Sequence, residues 1–167
     1  MDSQMQALID RLEILQVLAT YSRGVDRVDL ELLKTVYWED GIDNHGAQFR
    51  GSGWAFAELV CGQMPKLFNA TCHTLGQTYF AALTETRAAT ETYFCSTHDP
   101  LDPALPPFSN YGRYVDLFEK RGGVWKILKR EGVFDLHGAR GSPLAKIGEP
   151  VRRAPDDISY EVFGASS

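Results

Sequence analysis

From Gln4 to Asp26, apolar and small residues recur at Leu8, Leu12, Leu15, Ala19 and Ser22. Steps of four and three return to one side of a helix with about 3.6 residues per turn, so the spacing predicts a long first helix. The next member of the series is Asp26. If the helix reaches it, a carboxylate lies on the face that seeks the core, where it requires a hydrogen-bonding or charged partner. The other reading ends the helix at Gly24 and leaves Asp26 in a solvated turn. Asp29 can cap a short second helix through Leu30, Leu33, Val36 and Tyr37, with Glu31 in its first turn. Glu39–Gly46 reads as a turn with a short strand. Ser52 is a candidate N-cap for a third helix from Gly53 to about Phe68, with an apolar stripe of Trp54, Ala57, Val60, Cys61, Met64 and Leu67. Pro65 falls inside that stripe and is expected to kink or end the helix.

After Thr71 the pattern alternates. Thr71–Leu83 and Thr86–His98 are rich in Thr, Tyr and Phe and read as a long antiparallel pair joined around Thr84–Arg87. Leu101–Asn110 holds Pro103, Pro106 and Pro107 and reads as an excursion or lid. Tyr111–Lys120, the turn Arg121–Gly122–Gly123 and Val124–Gly132 form the clearest hairpin. The glycines and prolines of Gly138–Pro155 describe a meandering tail. Helices grouped before antiparallel strands predict an α+β fold in which the helices cover one face of a curved sheet.

Composition narrows the function classes. The 167 residues suit one domain, and 44% apolar with 23% charged residues is ordinary for a globular protein. A net charge of −5, with basic residues scattered, leaves no electrostatic footprint for nucleic acid or an anionic membrane. The chain has no run long and apolar enough for a transmembrane helix, and its first segment lacks a signal-peptide core. Cys61, Cys72 and Cys95 have no framework spacing, which sets the expectation of reduced thiols and a cytoplasmic location.

Chemistry centres on the histidines. His73 opens one long strand, with Leu75, Gln77 and Tyr79 on its face by period two; His98 ends the next, with Phe94 and Ser96. Counting outward from a turn between Glu85 and Thr86 pairs position 73 with position 98 and sets both rings on one face. A histidine on an apolar strand is most often a core residue. It becomes a base suited to neutral pH when a carboxylate, for which Asp26 is the candidate, accepts from one ring nitrogen. A metal site is disfavoured: Cys72 and His73 point to opposite faces of a strand, and there is no paired CxxC and no HExxH. The serines lack a nucleophile elbow, and no Gly-rich phosphate loop joins a strand to a helix.

The stretches "YSRGVDRVD", "VYWEDGIDNHG", "CHTLGQ" and "YVDLFEKRGGVWKILKREG", in that order over Leu8–His137, resemble SnoaL-like members of the nuclear transport factor 2-like superfamily. The resemblance implies a cone-shaped α+β barrel, with N-terminal helices on a strongly curved, mainly antiparallel sheet enclosing an apolar pocket. It implies a domain over residues 1–137 and a C-terminal tail over 138–167 that packs on the domain or a neighbouring subunit. Asp26 and His73 match the catalytic pair of the superfamily's dehydrochlorinases and scytalone dehydratases, and His98 resembles the dehydratases' second histidine. Val25 stands where the dehydratases have a tyrosine. The implied activity is a lyase or isomerase reaction without cofactor or metal: His73 takes a proton, Asp26 stabilises the imidazolium, and His98 polarises a carbonyl or protonates a departing oxygen. Tyr21, Trp38, Tyr79 and Phe94 are the expected contacts to a small, largely apolar cyclic substrate. The alternatives are a non-catalytic carrier of an apolar ligand and a dioxygenase β-subunit-like structural protein. A homodimer or homotrimer is expected, with Leu144, Ile147, Val151, Ile158, Val162 and Phe163 as apolar points of the tail.

Overall fold

The computed structural model describes residues 2–137 and 156–164. Helix α1 spans Ser3–Asp26, capped by the Asp2 carboxylate, which accepts from the Gln4 N–H at 3.1 Å. The short α2 (Leu30–Thr35) follows, capped by Asp29. Strands β1 (Tyr37–Asn44) and β2 (Arg50–Ser52) precede α3 (Gly53–Leu67). Pro65 does not end α3 early; it sits in the last turn, and the chain passes directly from Leu67 into β3. Strands β3 (Phe68–Leu83), β4 (Arg87–Pro100), β5 (Phe108–Arg121) and β6 (Val124–His137) form a continuous meander, and α4 covers Ile158–Gly164. The proline-rich excursion is therefore shorter than expected, because Phe108–Asn110 already pair in β5 with Thr97 and its neighbours.

The sheet order is β2-β1-β6-β5-β4-β3, antiparallel throughout except where β1 runs parallel to β6. It is a curved but unclosed sheet, with β2 and β3 at its edges. Gly122 and Gly123, both at positive φ (58° and 85°), make the two-residue turn between β5 and β6, a conformation in which a Cβ would be strained. No helix among the described residues is long and apolar enough to cross a membrane.

The core lies between the helices and the concave face of the sheet. Helix α1 contributes Ile14, Leu18, Tyr21 and Val25 to it, all at most 2% exposed. That is a correction: the stripe expected to face inward is instead largely outward, with Leu8 57% and Leu12 66% exposed. Both stripes have helical spacing, so periodicity by itself could not choose between them. The convex face is covered in part by α4, whose Val162 packs on Val115 and Leu117. Arg113 of β5 holds that contact: its guanidinium donates to Asp157 at 2.9 and 3.0 Å, to Asp135 and to Glu91. Ile158, Val162 and Phe163 belong to this described part of the tail, whereas Leu144, Ile147 and Val151 lie outside the described residues.

Register in the β3–β4 pair decides which side chains reach the concave face. Near the turn, Leu83 opposes Ala88 and Ala82 opposes Ala89, as counting from the turn gives. Irregularities then fall between Phe80 and Ala82 and between Leu75 and Thr78, each adding one residue to β3. After the first, alternation is reversed; after the second, it is restored. His98 consequently opposes Thr71 rather than His73, but an offset of two keeps both histidines on the same face. Tyr79 lies between the two irregularities and turns outward, 62% exposed, toward Phe163 of α4.

Candidate active site

A cavity of about 270 Å³ opens between α1, α3 and the concave sheet. Phe56, Phe94, Phe134 and Tyr114 supply much of its apolar wall, and His45, His73 and His98 are among its polar lining residues. Tyr21 and Phe94 line it as well. Trp38 and Tyr79 do not. Tyr37 points inward from β1, so alternation sends Trp38 the other way, where its indole donates to the Glu119 carbonyl at 2.9 Å beneath Arg121 and Lys126.

Asp26, at the last position of α1, meets the start of β3. Its Oδ1 lies 2.7 Å from Nδ1 of His73 and accepts from the Thr71 hydroxyl at 2.9 Å. Its Oδ2 accepts from the His73 backbone N–H at 2.8 Å. The side chains of His73 and Asp26 are 8% and 12% exposed. Burial works against the carboxylate charge, but the hydrogen bonds from the His73 ring and backbone and from Thr71 outweigh it, and Asp26 sits below the ordinary carboxylate range. An ionised Asp26 fixes the proton on Nδ1, so Nε2 is the nitrogen left to act in the cavity.

His98 meets the His73 ring edge-on, with centroids 5.9 Å apart, and stacks on Phe108 at 5.0 Å beside Phe68. Burial first, and then the neighbouring His73, lower its pKa to about 4, against a smaller opposing pull from the Ser96 backbone. His98 is therefore a neutral imidazole near pH 7. A neutral imidazole there can offer an N–H to a carbonyl or hydroxyl in the cavity. Its buried Nδ1 has no hydrogen-bond partner among the described residues.

Sequence reasoning missed a second pair on the same cavity. His45, just past the end of β1, places Nδ1 2.5 Å from Oδ1 of Asp43, whose Oδ2 accepts the Tyr37 hydroxyl at 2.6 Å. The only hint was the i, i+2 spacing, which sends both side chains to one side of a strand. Behind the cavity wall, Arg130 of β6 makes a bidentate pair with Asp116 at 2.7 and 2.8 Å and lies between the rings of Tyr21 and Tyr114, 4.1 Å from each centroid. Burial opposes the guanidinium charge, but Asp116 overrides it and the pKa lies well above the ordinary value. Burial likewise pushes the Tyr21 phenol up, so it stays a neutral hydroxyl. The cysteines are free, and no group of three or more His, Cys, Asp or Glu among the described residues is placed to hold a metal ion.

The chain is similar to several solved structures. A putative scytalone dehydratase from Novosphingobium aromaticivorans superposes with a TM-score of 0.75 at 23% identity, covering 88% of this chain and 96% of that one. A hexachlorocyclohexane dehydrochlorinase from Novosphingobium barchaimii gives 0.75 at 17% identity, over 84% and 96%. A protein of unknown function from Mycobacterium tuberculosis gives 0.70 at 19%, over 99% and 93%. At these identities the likeness is one of fold. Comparison with curated protein sequences gave no match. The family defined by the SnoaL-like domain matches residues 6–131. With most of its length matched, the chain belongs to the SnoaL-like domain family.

Proposed function

We propose that the protein is a lyase or isomerase that removes a proton from a compact, largely apolar cyclic substrate, with His73 as general base. The observation that carries this reading is the His73–Asp26 pair at 2.7 Å in the wall of an apolar cavity. Nε2 of His73 takes a proton from a C–H bond, and the electron pair of that bond forms a double bond as a leaving group departs from the neighbouring carbon. In an isomerisation the proton instead returns to another carbon. Asp26 stabilises the imidazolium as it forms. A neutral His98 donates its N–H to a carbonyl or hydroxyl at the reacting centre. None of these steps requires a cofactor. The dehydratase and dehydrochlorinase names of the structural neighbours agree with this class. A cavity of about 270 Å³ falls just below the usual drug-sized range of about 300–1,000 Å³, which favours a substrate of one or two rings.

The test is proton exchange into D₂O at acidic C–H positions of cyclic ketones, followed by NMR. The parent protein is expected to catalyse exchange, and His73→Ala to lose about 10²–10⁴-fold of it. Equal exchange by both proteins removes His73 from the mechanism, and binding without exchange by either makes the protein a carrier. The reading extends to self-association as a dimer or trimer, supported by the exposed stripe of Met5, Leu8, Leu12 and Leu15 on α1. A monomer mass by light scattering at micromolar concentration would contradict that part.

A further inference from the structure

The geometry points to His45 as a second polar anchor of the cavity, one that accepts a hydrogen bond from a hydroxyl on the bound ring compound. This inference takes the cavity of the proposed function as the ligand site but does not depend on His73 acting as a base.

Four features support it. His45 is 5% exposed and lines the cavity, yet among the described residues only its Nδ1 is hydrogen-bonded, at 2.5 Å from Asp43. Asp43 is itself 0% exposed and takes the Tyr37 hydroxyl on its other oxygen. A carboxylate accepts and a phenol donates, so this chain sets the proton of His45 on Nδ1 and leaves Nε2 as a lone pair. The ring cannot swing to find another partner. It stacks on Phe56 at 4.3 Å with an interplanar angle of 12°, and Tyr114 and Phe134 flank it at 6.0 and 6.2 Å. Room for it comes from Gly132, where a Cβ would lie 3.0 Å from Cδ2 and 3.2 Å from Nε2 of the imidazole.

Position completes the argument. In the sheet order, β6, β5 and β4 lie between the strand that leads to His45 and the strand that carries His73. Phe134, Tyr114 and Phe94, one from each of those strands, line the cavity between the two histidines. A flat ring on that aromatic floor has His73 and His98 at one end and the lone pair of His45 at the other. Nε2 has no partner among the described residues, and an acceptor in the wall of a largely apolar cavity favours ligands that bring a donor. The ligand class is therefore a compact ring compound with a hydroxyl opposite the carbon that faces His73.

The probes are phenol and its methyl ether anisole, titrated against the full chain. Phenol is expected to bind roughly tenfold more tightly than anisole, the worth of one hydrogen bond to a buried acceptor. His45→Phe, which keeps the ring stack on Phe56, should erase that preference, and His73→Ala should retain it. On the unmodified protein labelled with ¹⁵N-histidine, phenol should shift the Nε2 resonance of His45 and anisole should not. This readout decides the question even if His45→Phe fails to fold. The proposal is overturned by equal affinities in the parent, by a preference that survives His45→Phe, by a shift confined to His73 or His98, or by no binding of phenol at millimolar concentration. Loss of proton exchange in His73→Ala with the phenol preference intact would support both readings; the preference without any exchange would sink the enzyme and leave the anchor standing.

Discussion

The two histidine–carboxylate pairs on this cavity differ in what holds the carboxylate. Asp26 is gripped by one strand: a backbone N–H and a hydroxyl of β3 share it with the His73 ring. Asp43 is fully buried and depends on two side chains, Tyr37 and His45. A carboxylate tied to strand backbone keeps its place when the histidine is altered. A buried one with only side-chain donors does not. Substitutions at the first pair should therefore appear mainly in rate, and those at the second mainly in stability.

The largest effect expected is on catalysis. Asp26→Asn keeps the shape but leaves a single accepting oxygen for the three β3 donors and removes the charge proposed to stabilise the imidazolium, so turnover should fall by about 10²–10⁴-fold, a larger effect than any on the thermal midpoint. The double variant with His73→Ala should be no worse than His73→Ala, since both disable one proton transfer. Additive losses measured in steady-state kinetics would show that the two side chains act separately.

Asp43→Ala breaks the other pair and strands a phenol and an imidazole in the interior. Urea unfolding should report a loss of about 3–5 kcal/mol, the usual cost of removing one partner from a buried polar pair. A loss below about 1 kcal/mol would remove the contrast between the two sites.

Acid separates them further. His98 has a folded pKa of about 4 against an ordinary 6.5, so below pH 6.5 the unfolded chain binds the extra proton and the folded one resists it. Stability should be full above about 6.5 and fall as pH drops toward 4, by about 3 kcal/mol from this group. Asp26, held below the ordinary carboxylate value, adds a loss in the same direction at still lower pH. His98→Gln should flatten the slope between 6.5 and 4 in urea melts; an unchanged slope would place the acid sensitivity elsewhere.

The smallest effect sharpens the role of the strand. Thr71→Val removes one of three donors to Asp26 and should cost about 1 kcal/mol of stability while lowering turnover only severalfold. A loss as large as that of Asp26→Asn would mean that the hydroxyl, rather than the backbone N–H, positions the carboxylate.

Local chemistry was legible residue by residue. Asp29 and Ser52 cap α2 and α3 where the capping pattern puts them, and the two glycines make the β5–β6 turn. The order of helices and antiparallel strands follows from a change of period at the start of β3, and the family resemblance agrees with the domain match over residues 6–131. Asp26 and His73 stood out because a carboxylate beside a helical stripe and a histidine at the head of a strand each required a partner.

Other features were decided only when the chain packed on itself. Two stripes of α1 have the same spacing, and the choice of Ile14, Leu18, Tyr21 and Val25 over Leu8 and Leu12 came from what the sheet presents to the helix. Alternation placed Tyr79 with His73, but an extra residue between Leu75 and Thr78 reversed it, and a second between Phe80 and Ala82 explains why counting from the turn reached His98 on the correct face but two residues off. The burial of Arg130 against Asp116 and the lowered pKa of His98 depend on neighbours distant in sequence. Capping, turns and periodicity act within a few residues and can be read there. Register and burial are set by contacts between distant segments, and a single inserted residue exchanges the two faces of a strand.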